Sequence, residues 1–110
     1  DLNRVNINII CGNAKEKLYE LRGVADRIIM NYPERSIEFL ESALIGLRKK
    51  GYLHIYIFSR GIKAGDIARN LILESLRSFD IKVAHLSIKR VSEVAPYRYL
   101  MCADVLIRKN

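Results

Sequence analysis

Tryptophan is absent from these 110 residues, and proline and cysteine occur only twice each. So little proline leaves no proline-rich linker, and no repeat or low-complexity tract interrupts the chain. Cys11 and Cys102 lie far apart, without the paired spacing of a zinc site. They read as reduced structural thiols of an intracellular protein; a disulfide would need the two ends of the chain to meet. No apolar run approaches the length of a membrane span, and the first residues lack a signal-peptide pattern. The glycines of residues 61–65 are not followed by the lysine-serine ending of a nucleotide-binding P-loop, and no serine or cysteine sits in a nucleophile elbow. His54 and His85 fall in strand-like runs and read as half-exposed sheet residues. With no acid/base set in view, the expectation is a protein that is not an enzyme and holds no cofactor or metal.

What is present is an ordinary globular composition, 50% apolar and 28% charged, on a chain long enough for one core without staples. The charge is lopsided. Nineteen Lys and Arg stand against twelve Asp and Glu, a formal net charge of +7. Such an excess points to a polyanionic partner, nucleic acid first and an anionic membrane surface second, with a merely solvated basic surface as the plain alternative.

The longest readable unit is Tyr52–Asp66 and the helical run that follows it. Leu53, Ile55 and Ile57 alternate with His54, Tyr56 and Phe58, the period and composition of a strand. Ser59-Arg60-Gly61 breaks it, and Gly61 and Gly65 permit a sharp bend whose N–H groups could face a phosphate. Asp66 is the expected N-cap of a helix reaching Ser78. Its apolar sector, Ile67 to Phe79, is wider than one sheet face covers, so a second subunit or deep burial is expected there.

Upstream, residues 4–10 alternate as a short strand, and Asn13 with Glu16 forms a capping box for a helix ending at Gly23. Residues 25–32 read as a strand stopped by Pro33. Ser36 is the expected cap of a helix whose stripe is Ile37, Leu40, Leu44 and Leu47, with Arg48-Lys49-Lys50 in its last turn and Gly51 at C′. Residues 81–89 and 99–108 are two more strands, with Ala84, Leu86 and Ile88 on one face of the first and Ala103, Val105 and Ile107 on one face of the second. Residues 90–99 read as a loop between them, long for a hairpin and therefore either functional or disordered. The result is an α/β two-layer sandwich of βαβαββ order over residues 25–110, preceded by a strand-helix extension over 1–24.

The anchor Ile55-Tyr-Ile-Phe-Ser-Arg-Gly61, the preceding Leu44–Gly51 and the terminal Asp104–Lys109 resemble the Alba family of small basic nucleic-acid-binding proteins, the Sac10b-like chromatin proteins. The resemblance covers roughly residues 25–109. It implies a homodimer, or a heterodimer with a related subunit, that binds duplex DNA or structured RNA in chromatin or a ribonucleoprotein. It also implies an intracellular place: nucleoid or cytoplasm in archaea, nucleus or cytoplasm in eukaryotes. Carried over by position, Arg60 and Gly61 fall on the family's arginine-glycine loop, Arg35 near its cationic first loop, and Lys89, Arg90 and Arg98 in its hairpin. Ile62, Asp66 and Pro33-Glu34-Arg35-Ser36 depart from its basic pattern, which favours a relative specialised for RNA or working beside a partner.

The expected contacts are therefore Arg35, Arg60, Gly61, Lys63, Lys89, Arg90 and Arg98 on phosphates, with Tyr97 and Tyr99 available to stack on bases. A salt bridge from Arg60 to Asp66 is the structural alternative for that arginine. The rival function is a structural subunit of a larger ribonucleoprotein assembly, docked through the second helix and residues 1–24; a small enzyme is the third reading.

Overall fold

The computed structural model describes residues 6–9, as backbone, and residues 22–110. Five strands form one sheet: β1 (Asn6–Ile9), β2 (Ala25–Met30), β3 (Leu47–Arg60), β4 (Ile81–Ala95) and β5 (Arg98–Lys109). Their spatial order is β1-β2-β3-β5-β4. β1, β2 and β3 are mutually parallel, and β5 runs antiparallel between β3 and β4. A 3-10 turn (Ile37–Phe39) and helix α1 (Leu40–Gly46) connect β2 to β3; helix α2 (Ala64–Leu76) connects β3 to β4. The expected element order and mixed sheet hold from residue 25 onward. β1 adds a fifth strand beside β2, and the capping box at Asn13–Glu16 lies outside the described residues.

The alternation read in β3 is the core. Leu53, Ile55 and Ile57 are buried, as are Val105, Ala103 and Met101 across from them on β5 and Ile107 further along it. α2 meets this face with Ala64, Ala68, Ile72 and Leu76, a stripe at four-residue spacing that lies on one side of a helix. Its outer residues Ile67 and Leu71 stay exposed. Both crossovers step the same way along the sheet, so right-handed connections set both helices on this one face.

The opposite face carries Tyr52, His54, Tyr56 and Phe58, each half-buried. Their register partners on β5 are Leu106, Asp104, Cys102 and Leu100. His54 Nδ1 pairs with Asp104 Oδ1, while His54 Nε2 is buried with no partner among the described residues. His85 is exposed on β4. Cys102 is a free buried thiol 3.8 Å from Asp104 Oδ1. Burial, and then the Asp104 carboxylate, push that thiol above its ordinary pKa. The Tyr56 phenol is likewise raised, first by the neighbouring Cys102 and then by burial. Neither group is an activated nucleophile.

Four local expectations give way. The first helix stops at Gly46, and Arg48-Lys49-Lys50 belong to β3 instead of a helix end. Between the pairs Ala25↔Leu47 and Arg27↔Tyr52, β2 advances two residues and β3 five, so the triplet sits in a bulge. Arg48 is held there by Val24 O at 3.0 Å and Asp26 Oδ1 at 3.4 Å. Gly51 has no positive φ and is no C′ residue. Ser36 holds the N-cap position of the 3-10 turn, but its side chain makes no capping bond: its buried hydroxyl turns into the sheet, within 2.8 Å of Tyr56 O and 2.9 Å of Tyr32 O. Asp66 is not the cap of α2, which starts at Ala64; it occupies the first turn, where a carboxylate still suits the helix dipole.

The last correction is the long loop. β4 continues to Ala95 and a two-residue turn, Pro96-Tyr97, leads into β5. Register shifts at Val83/His85, Arg90/Ser92 and Glu93/Ala95 break the strict alternation of β4, which is why Ala84 is exposed while Leu86 is buried. Pro96 with a positive φ of 59° at Tyr97 is the combination of a type II turn.

Candidate functional site

Parallel strands place all their carboxyl ends on one edge of a sheet, and ligands of open α/β sheets bind along that edge. Among the described residues it comprises the turn after β2 (residues 31–36), the turn after β3 (residues 61–63) and the β4–β5 hairpin tip (residues 96–97). One hydrogen bond joins two of these turns and two more brace them locally. The Ser36 hydroxyl ties the first to β3 through Tyr56 O, the Ser59 hydroxyl donates to Ala64 O at 2.8 Å, and Gly61 N–H donates to Tyr97 O at 2.7 Å.

The last of these bonds changes the role read for Gly61. Its φ of +88° bends the chain as expected, but its N–H is spent on the hairpin carbonyl and is not offered to a phosphate. Arg60 and Arg98 are register partners, both exposed, at the junction of the two turns. The Arg98 guanidinium stands 5.2 Å from the Phe58 ring centroid. Arg60 forms no ion pair with Asp66 or with any described carboxylate. Lys63 follows on the same turn, also unpaired among the described residues. Arg35 lies on the turn after β2, where Glu38 binds it at 2.8 Å and the Phe39 ring lies beneath it.

Lys89 and Arg90 are strand residues of β4 and are not at the turn. They point to opposite faces: Arg90 lies 3.7 Å from the Tyr99 ring centroid, and Lys89 is in register with Cys102. The edge therefore collects Arg60, Lys63 and Arg98, with Arg35 nearby as part of an ion pair.

Sequence reading missed Asn31 and Tyr32. Both are exposed directly after β2. Neither residue type is conspicuous in a sequence. The available signal was positional: a polar residue and an aromatic just past a buried parallel strand, before a crossover helix. Among the described residues no three His, Cys, Asp or Glu side chains converge as metal ligands, and no helix is long and apolar enough to cross a membrane.

Comparison with known proteins replaces the Alba reading. The model of the TRM5/TYW2 methyltransferase domain matches residues 1–85. The tRNA (guanine(37)-N(1))-methyltransferase Trm5b of Pyrococcus abyssi is 34% identical over 106 residues, covering 94% of this chain and 30% of that protein. Its crystal structure superposes with a TM-score of 0.67 at 32% identity, over 76% of this chain and 26% of the other. The tRNA (guanine(37)-N(1))-methyltransferase of Trichomonas vaginalis is 27% identical over 94% of this chain and 31% of its own length. The structure of M. jannaschii TYW2 in complex with AdoMet shares the fold, with a TM-score of 0.74 at 22% identity, over 83% of this chain and 42% of that one. This chain thus spans about 30% of the length of the curated relatives it matches.

The Alba assignment fails because its signal was local. An apolar strand running into a cationic glycine turn arises wherever a parallel strand meets a βα loop, and the βαβαββ order fits more than one family. With it go the chromatin role and the expectation that the protein is not an enzyme. The match across residues 1–85 shows that the chain belongs to the TRM5/TYW2 methyltransferase domain family.

Proposed function

We propose that this chain forms part of the catalytic domain of a tRNA methyltransferase that uses AdoMet and modifies guanine-37 at N1. The observation that carries the reading is the 34% identity to Pyrococcus abyssi Trm5b along 94% of the chain. The carboxyl edge supports it with chemistry of the right kind. Arg60, Lys63 and Arg98, without carboxylate partners among the described residues, suit RNA phosphates, and each charge is available to them.

The turn after β2 fits one wall of a donor and target-base site. The Asn31 carboxamide can hydrogen-bond the edge of a base or an adenosine, and the exposed Tyr32 ring can cover an aromatic face. AdoMet, when bound, supplies an electrophilic methyl group on its own sulfonium. The part left to the protein is to hold a guanine nitrogen in line with that methyl group and keep water out. Ser36 serves this by fixing the turn that carries Asn31 and Tyr32.

The test, on the whole methyltransferase of which this chain is proposed to be a part, is transfer of labelled methyl from AdoMet to tRNA transcripts bearing guanine or adenine at position 37. Incorporation into the guanine transcript alone is expected. Equal incorporation into both, or none into either, refutes the assignment.

A further inference from the structure

The cleft between the turn after β3 and the hairpin tip has a composition that phosphate neutralisation does not explain. It measures about 340 Å³ and is lined by Arg60, Gly61, Ala95, Pro96, Tyr97 and Arg98. Its two charged walls are the register partners Arg60 and Arg98, one of them braced on Phe58. Its rim is a tyrosine, 65% exposed, in the left-handed backbone region. That region disfavours a bulky side chain, and type II turns take Gly or Asn at this position. A large ring kept there at local conformational cost points to a contact made by the ring itself. The cleft is also stiff: Pro96 fixes one side of the turn, and the Gly61 N–H to Tyr97 carbonyl bond at 2.7 Å closes the other.

We propose that this cleft holds one unpaired nucleotide of the RNA substrate, its base stacked on Tyr97 and its phosphate between Arg60 and Arg98. The proposal rests on the reading of this chain as an RNA-acting enzyme and adds a single-strand subsite to it. An aromatic ring offers a stacking surface to any base, and two flanking guanidiniums take the phosphate that the base carries with it. A duplex presents no free base face, so the subsite selects a loop over a stem. The exposed Ile62 and Val94, each next in sequence to a lining residue, give the approach an apolar border that a purely electrostatic surface would not have.

Three variants separate stacking from folding. Tyr97→Gly removes the ring and relieves the positive φ, so its urea midpoint should equal or exceed that of the parent. Its affinity for a single-stranded oligoribonucleotide should fall about tenfold, within the range of one lost base stack. Tyr97→Phe keeps the ring and should bind within about twofold of the parent. Arg98→Ala should weaken single strands and reduce the salt slope of binding by roughly 0.7, as one phosphate contact requires. A Tyr97→Gly protein that is folded and binds single strands as tightly as the parent overturns the proposal. So does an equal loss for an RNA duplex, which would make the ring a general scaffold of the surface. Methyl transfer by the unsubstituted protein is scored separately. If it occurs and Tyr97→Gly binds normally, the subsite fails and the enzyme reading stands. If it does not occur while Tyr97→Gly loses single-strand binding, the subsite stands and the enzyme reading fails.

Discussion

Gly51 offers the sharpest test of how β3 is built, because two readings of it predict opposite outcomes. As a helix C′ residue it would need a positive φ, and asparagine would substitute well. In the structure it lies inside β3 just past the bulge, and a Cβ placed on it would stand 2.6 Å from Leu47 Cδ1, 2.9 Å from Leu47 Cγ and 2.7 Å from Asp26 O. Ordinary carbon contacts begin at about 3.5 Å. Leu47 is fully buried and cannot swing aside, and Asp26 O belongs to the backbone of β2. Overpacking of this kind costs about 1–3 kcal/mol. Against it, loss of glycine's freedom in the unfolded chain returns about 0.4–1 kcal/mol. The net expectation for Gly51→Ala is a loss of about 1–2 kcal/mol, read as a fall of roughly 0.5–1 M in the urea midpoint with unchanged slope. Gly51→Asn should be at least as damaging. Gly65→Ala is the internal control: it sits in the first turn of α2, where an added Cβ meets nothing within 4 Å, and should stabilise slightly. A Gly51→Asn protein more stable than Gly51→Ala would restore the helix-cap reading and refute the steric one.

Ser36→Ala leaves the Tyr32 and Tyr56 carbonyls without their shared hydroxyl and should cost about 1–3 kcal/mol in urea unfolding and, on the proposed function, raise KM for tRNA because the Asn31 turn loses its tether; unchanged stability would show that water replaces the hydroxyl. Cys102, with its pKa raised, should react with iodoacetamide at pH 8 far more slowly in the native protein than in urea, measured in a Cys11→Ser background; equal rates would contradict the burial. Lys109 has its pKa lowered from 10.5, first by burial and then by Arg22. The unfolded chain therefore holds more protons than the native one just below 10.5, so raising pH through that window should stabilise the parent relative to Lys109→Met. A difference in urea midpoint between the two that stays flat from about pH 8 to 10.5 would deny the shift.

How much of this was legible in the sequence depends on the range of the interaction that decides each element. Leu53, Ile55 and Ile57 declared β3 because a strand between two neighbours needs a buried residue at every second position, and nothing distant alters that. Ala68, Ile72 and Leu76 declared α2 in the same way. The Leu47–Gly51 region misled because a basic triplet followed by glycine suits a helix end locally. The bulge against β2 is decided instead by Leu47 finding its place in the core opposite Ala25. The hairpin misled through its register shifts: three breaks in alternation over β4 look like a loop when the partner strand is not in view. Of the edge, Arg60, Lys63 and Arg98 were found because cations beside glycine and tyrosine stand out. Asn31 and Tyr32 were not, because their interest comes only from lying beyond the end of a parallel strand.

The deeper misreading was to take the lack of an acid/base constellation as a sign against an enzyme. That inference holds where the protein itself must supply the reactive group, as in hydrolysis by a serine or a metal-bound water. It fails for group transfer from a donor that carries its own electrophile. There the protein contributes position, a dry approach and charge to bind the acceptor, and those tasks use amides, rings and guanidiniums. An RNA-binding module and an RNA methyltransferase consequently share most of their visible chemistry: cations at loop ends, aromatics near them, and few titratable groups set aside for reaction. The βαβαββ order does not separate them, because it fits both; the family match across residues 1–85 does. Here β2 and β3 end on one edge, with Asn31 and Tyr32 beside the one and Arg60 beside the other. Such an edge places an amide, a ring and a guanidinium within one sheet's width, which is the arrangement the proposed transfer reaction requires.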